Sequence, residues 1–125
     1  MNDCVFCEII AGRAPATIVH DSVNAIAIVP LNPVTPGHLL VIPKEHVTDF
    51  SENHHVTADT MVVASLLARD QFPGPMNLIT SRGREATQSV FHLHVHMVPR
   101  AENDGIALPW YSGRRRNPAA APSTQ

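Results

Sequence analysis

"HLHVHMVPR", residues 92–100, places three histidines on alternate positions: His92, His94 and His96. The residues between and after them, Leu93, Val95, Met97 and Val98, are aliphatic. Strict alternation of this kind reads as a strand, taken here over 90–98. Side chains two apart on a strand share a face, so the three imidazoles line one side and Phe91, Leu93, Val95 and Met97 the other. From the rise per residue, neighbouring imidazoles lie roughly 6.5–7 Å apart, too far to bond one another directly. Such a row suits groups spread along an extended ligand. A solvated polar face is the alternative, but it would more often carry Lys, Glu or Thr.

Working outward, the other elements follow from composition. "CEIIAGRAP" (7–15) reads as a short helix stopped by Gly12 and Pro15. "TIVH" (17–20) and "NAIAIVP" (24–30) form a hairpin around "DSV". "PLNPVTPG" (30–37) is an ordered loop, and "HLLVIPKEHV" (38–47) opens with a strand ending at Pro43. The one convincing helix spans Val56–Gln71, with Thr57 as N-cap and a helical apolar stripe of Met61, Ala64, Ala68, Val62 and Leu66. "FPGP" (72–75) ends it, "MNLITS" (76–81) is a strand, and "RGREATQS" (82–89) is a polar loop before the histidine strand. Strands, one main helix, then strands argue an α+β domain with a mainly antiparallel sheet. The domain is expected over 1–112, and 113–125, rich in Pro, Ala and small polar residues, reads as a disordered tail. Its Arg114–Arg116 run reads as solvated charge.

Bulk properties narrow the function. With 125 residues and 44% hydrophobic content, one domain with a modest core is expected. The formal net charge of −2 gives no electrostatic case for nucleic acid. No apolar run reaches membrane-spanning length, and "MNDCVFCEII" does not read as a secretory signal, so the expected compartment is the cytoplasm. In that setting Cys4 and Cys7, a C-x-x-C, are not expected to form a structural disulfide. Metal binding, thiol redox and plain buried thiols stay open.

Taken together, "QSVFHLHVHMVPR" (88–100), "CVFCEIIAGRAPATIVH" (4–20) and "LNPVTPGHLLVIPKEHV" (31–47) resemble the histidine triad superfamily over most of residues 4–100. The resemblance implies a sheet of about five strands with one main and one short N-terminal helix. It also implies a homodimeric nucleotide hydrolase or transferase that cuts at an α-phosphate through a nucleotidyl-histidine. His94 matches the nucleophile, and a neutral imidazole is a competent one near pH 7. His96 and Ser89 match catalytic partners; Gln88, His38 and Ser81 match substrate-side positions. Nucleoside phosphoramidates and dinucleoside polyphosphates are the implied substrates, with Arg82, Arg84 and Arg100 as sources of charge for the second. Zinc-binding members carry a C-x-x-C, the histidine of "PKxH" and the first triad histidine, which match Cys4, Cys7, His46 and His92. Four protein ligands make that metal structural. A nucleotide-binding or interaction module with little catalysis is the alternative function.

The chain also departs from the family's pattern. Pro30 stands where members carry an Asp or Asn for the ribose hydroxyls. Ser81 replaces an Asn, Thr87 a common Gly, and Trp110 and Tyr111 are candidates to cover a pocket.

Overall fold

The computed structural model describes residues 3–114. In chain order these form α1 (Val5–Ile10), β1 (Thr17–Asp21), β2 (Ala25–Val29), β3 (Leu39–Pro43), α2 (His54–Gln71), β4 (Met76–Ile79), a 3-10 turn at Arg84–Ala86, and β5 (Val95–Pro99). The five strands make one sheet in the order β1-β2-β3-β5-β4, with every neighbouring pair antiparallel.

The central strands explain the layering. β2 reads AIAIV and β3 LLVIP, apolar without alternation, as a strand covered on both faces must be. Ala25, Ala27, Leu39, Val41, Val95 and Met97 pack against Val63, Ala64 and Leu67 of α2. The two small alanines let the helix lie close to the sheet. The opposite face buries Ile26, Ile28, Leu40 and Ile42 under Phe6 and Ile9 of α1. Each fully buried aliphatic side chain contributes roughly 1.5–3 kcal/mol. The histidines therefore lie on the α1 side: His96 pairs with Leu40 in register, while Val95 and Met97 face α2.

Two expectations are corrected. The N-cap of α2 is Asn53, whose side-chain oxygen accepts from the backbone N–H of His55 and Val56; the Thr57 hydroxyl instead donates to the Phe50 carbonyl. The helix buries Val56, Thr60, Val63, Ala64 and Leu67, so Met61, Val62 and Leu66 point outward. Gly113 is buried at φ +88°, and a Cβ there would sit 2.6 Å from the Gly105 carbonyl carbon, so only glycine closes this turn. The remainder of the expected tail, from Arg115, lies outside the described residues. Among the described residues no helix is long and apolar enough to cross a membrane.

Candidate functional site

The histidine strand is shorter than its alternation suggests. β5 starts at Val95, because β3 ends its pairing there and β4 ends at the Ile79–His96 pair. Residues 92–94 run on outside the ladder, held by other bonds. Leu93 N–H donates to Val47 O at 2.8 Å, and the Thr80 hydroxyl donates to His94 O at 2.8 Å. The shared face survives, since Phe6 meets both His92 and His94 edge-on at centroid distances of 5.9 and 5.1 Å.

His92 is fully buried, with 0% exposure. Its Nε2–H donates to Pro43 O at 2.8 Å, which leaves the Nδ1 lone pair facing Cys4 Sγ at 3.3 Å, Cys7 Sγ at 3.5 Å and His46 Nδ1 at 3.0 Å. Cys7 Sγ lies 3.3 Å from His46 Nδ1. The ligand atoms of Cys4, Cys7, His46 and His92 all fall within 4.8 Å of one another. A tetrahedron with nitrogen and sulfur ligands at about 2.0–2.3 Å has edges of about 3.3–3.8 Å, close to these separations. Neither cysteine is in a disulfide. Four soft or borderline donors aimed at one point suit a metal cation, and the Pro43 carbonyl fixes the His92 ring as an outer partner does in metal sites. The cluster sits at the start of β5, with α1 tied to it through both cysteines.

The other two triad histidines are set by their own partners. His94 Nδ1–H donates to His92 O at 2.8 Å, so the proton is on Nδ1 and Nε2 keeps its lone pair. Burial lowers the pKa of His94, with the His92 carbonyl opposing it, and the ring is neutral at pH 7. His38, 5% exposed, accepts the Val34 N–H on Nδ1 at 3.1 Å, so its proton is on Nε2, 3.0 Å from His96 Nδ1. His96 therefore accepts on Nδ1 and carries its proton on Nε2. Burial, then the neighbouring His94 and His38, push the pKa of His96 down to about 4. The result is a lone pair on His94 beside an N–H donor on His96, with ring centroids 5.2 Å apart.

The remaining expected residues divide. Gln88 is buried and bonded within its own loop. It is 4% exposed; its Oε1 accepts from Gly83 N at 2.9 Å and its Nε2 donates to Thr48 O at 2.7 Å and Val90 O at 3.2 Å, so it ties the 83–90 loop together. Ser89 is exposed and lines a small cavity of about 440 Å³ with Asp3, Cys4 and Phe91, while Ser81 is half-buried just past β4. No hydrogen bond joins either serine to the triad among the described residues. Arg100 is spent on Asp104, Asn77 and the Ile106 carbonyl, and Arg82 and Arg84 lie over the rings of Phe50 and Phe91. Tyr111 packs on Arg100, and Trp110 is exposed.

Two residues escaped sequence reasoning. Phe6, inside the C-x-x-C, holds both His92 and His94 and walls a cleft of about 790 Å³. Asn32, the polar residue of "PLNP", lines the same cleft. Spacing carries no signal for either; a polar side chain between two prolines was the one hint.

Comparison with known proteins agrees with the fold. Protein hit of Bacillus subtilis is 36% identical over 117 residues, 87% of this chain and 79% of its own. Adenylylsulfatase HINT3 of Arabidopsis thaliana is 32% identical over 108 residues, 82% of this chain and 55% of its own. The structure of a HIT family hydrolase from Clostridium thermocellum superposes with a TM-score of 0.74 at 37% identity, covering 81% of this chain and 93% of that one. The HIT domain family model matches residues 11–103, and the chain belongs to that family.

Proposed function

We propose that the protein is a nucleotide hydrolase or nucleotidyl transferase that cleaves at the α-phosphate through a covalent nucleotidyl-His94 intermediate. The observation that carries this reading is the opposed tautomers of the pair: a lone pair on His94 Nε2 beside an N–H on His96 Nε2. His94 Nε2 attacks phosphorus, the bond to the leaving group breaks, and the leaving group departs with that electron pair and takes a proton from water. His96 donates a hydrogen bond to a phosphoryl or bridging oxygen or nitrogen as charge builds there. With its Nδ1 occupied by His38 and its pKa near 4, His96 acts as a donor and not as a proton source. Water then attacks phosphorus, the P–N pair returns to His94, and a nucleoside 5′-monophosphate leaves.

The cluster of Cys4, Cys7, His46 and His92 would hold structural zinc, joining α1 to the strand that carries the nucleophile. α2 would contribute to a homodimer: Val62 and Leu66 are 55% and 44% exposed on a helix otherwise packed on the sheet. A sedimentation shift from dimer to monomer in Leu66→Glu tests this.

The substrate classes are nucleoside phosphoramidates and dinucleoside polyphosphates. The similarity to a protein named adenylylsulfatase adds adenylyl sulfate. The experiment is to compare turnover of adenosine phosphoramidate, diadenosine tetraphosphate and adenylyl sulfate, then search the denatured protein for a nucleotidyl adduct. His94→Ala retaining full activity on whichever is cleaved would overturn the mechanism. A nucleotide-binding module with little catalysis is the second reading, favoured by the turning of Gln88 into the loop backbone. It predicts thermal protection by nucleotide with no turnover.

A further inference from the structure

β4 pairs with β5 as far as Ile79, opposite His96, and stops there. Continuing the register would set Thr80 beside Val95 and Ser81 beside His94. Instead the chain leaves the sheet after Ile79, and the hydroxyl of half-buried Thr80 donates to the His94 carbonyl at 2.8 Å. A side chain thus makes a contact where the main-chain ladder has ended.

Three bonds hold the main chain around His94. Leu93 N–H donates to Val47 O, and the His94 ring donates from Nδ1 to His92 O, both at 2.8 Å. These two act on the N-terminal side of His94. On the other side, pairing with β3 begins at Val95, opposite Val41. The peptide between His94 and Val95 is the joint, and its carbonyl is the group that Thr80 holds. Rotation of that peptide moves the His94 Cα against the sheet, and with it the ring and the Nε2 lone pair. Threonine suits the task. Its branched side chain is stiff at χ1, so the hydroxyl is aimed before it bonds. Among the described residues Thr80 makes no hydrogen bond to a triad side chain, so its effect passes through the main chain.

We infer that Thr80 is a positioning residue for His94: its hydroxyl fixes the peptide that follows His94 and keeps Nε2 in line with the phosphorus. This rests on the reading of His94 as the nucleophile. The physical reason is that attack on phosphorus depends on the distance and alignment of the reacting atoms, and a displacement too small to alter ligand contacts still slows it. Thr80 therefore acts on the rate of attack and not on the affinity for nucleotide.

The test compares Thr80→Val, which keeps the shape and removes the donor, with Thr80→Ser, which keeps the donor and removes the branch. The assay is the single-turnover rate of adduct formation on whichever nucleotide is cleaved, with nucleotide affinity measured alongside, well below the Tm of each variant. Thr80→Val is expected to slow adduct formation about tenfold or more and to change affinity by less than about twofold. Thr80→Ser is expected to return the rate to within about threefold of the natural protein. Nitrogen NMR is expected to show the natural His94 ring protonated on Nδ1 alone, and a mixture in Thr80→Val. A merely structural Thr80 would lower Tm and leave the rate and the ring spectrum unchanged. A Thr80→Val rate within about threefold of natural overturns the inference. So does an equal loss in Thr80→Ser, or a loss confined to affinity. If Thr80→Val does not fold, Thr80→Ala carries the same expectations. Absence of an adduct from any nucleotide in the natural protein is failure of the hydrolase reading. The ring spectra then decide the positioning alone, and an unchanged His94 spectrum in Thr80→Val overturns it.

Discussion

Replacing His38 by alanine isolates the device that orients the site. His38 contributes two bonds, accepting Val34 N–H at 3.1 Å and donating to His96 Nδ1 at 3.0 Å, from a position 5% exposed. Each bond is worth about 1 kcal/mol net, and the imidazole-sized void adds to that, so a loss of about 2–4 kcal/mol of stability is expected. The functional cost has a separate origin. Without His38 nothing specifies which nitrogen of His96 carries the proton, or how its ring lies. Removing an orienting partner of this kind costs about 10- to 100-fold. The assay is kcat/KM on whichever nucleotide is cleaved, alongside nitrogen NMR of the His96 ring. The natural protein is expected to show a protonated Nε2 and an unprotonated Nδ1; His38→Ala, a mixture. His38→Gln, which keeps an N–H donor, is expected to recover part of the rate. Activity of His38→Ala within threefold of the natural protein, or a natural His96 protonated on Nδ1, would refute the reasoning.

Three further outcomes can be checked. Protein purified without chelators is expected to hold one zinc per chain. Cys7→Ser is expected to lose the metal and lower Tm by about 10 °C, since a few kcal/mol of folding energy go with it; natural protein with less than half a zinc per chain contradicts the site. Thr87 has φ +75° and ψ +16°, a left-handed conformation costing a β-branched residue about 1–2 kcal/mol. Glycine relieves this but loses about 0.5–1 kcal/mol to unfolded-chain entropy, so Thr87→Gly is expected to gain about 0.5–1 kcal/mol in denaturant titration. Acid is expected to destabilise the fold through His96, whose pKa falls from 6.5 to about 4 on folding. The unfolded chain takes up this proton near 6.5 and the folded chain does not until about 4, so the stability is complete above 6.5 and is lost between those values. Discounted for partial exposure, the loss is on the order of 2–3 kcal/mol. An identical pH slope in His96→Asn would contradict it.

The elements most legible in the sequence were those where one force dominates. β2 and β3 are apolar on both faces and bounded by turns, so their limits were readable to about a residue. α2 was harder because Met61, Val62 and Leu66 are as apolar as the residues it buries. A pattern of hydrophobicity cannot say which of two apolar stripes meets the sheet. Tertiary packing chose the stripe of Val56, Val63 and Leu67. Capping failed for a related reason. Asn53 and Thr57 both offer an oxygen near the helix start, and the choice fell to the chain's path, which brings the Phe50 carbonyl to Thr57. For Gln88 the sequence carries no signal of its local partners: an amide that can hold phosphate can equally hold a loop, and the bonds to Gly83, Thr48 and Val90 depend on the fold.

The triad itself shows how an incorrect intermediate can leave a site intact. Alternation assigned all three histidines to a ladder, yet strand pairing needs a partner, and β3 and β4 stop short of His94. What alternation measures is extended backbone, not pairing, and extended backbone alone is enough to put His92, His94 and His96 on one face. Freed from the ladder, the main chain of 92–94 becomes available for other work. The carbonyl of His92 accepts the proton of His94 and so exposes the His94 lone pair. A regular strand would have committed that carbonyl to a neighbour or turned it away. The late start of β5 is thus part of what sets the tautomer of His94. Its origin lies in residues far along the chain: His92 turned toward Pro43 and the cysteine pair, and Leu93 bonded to Val47. The cluster and the triad are in this sense one structure. Disturbing the cluster should therefore disorder His94 before it unfolds the sheet.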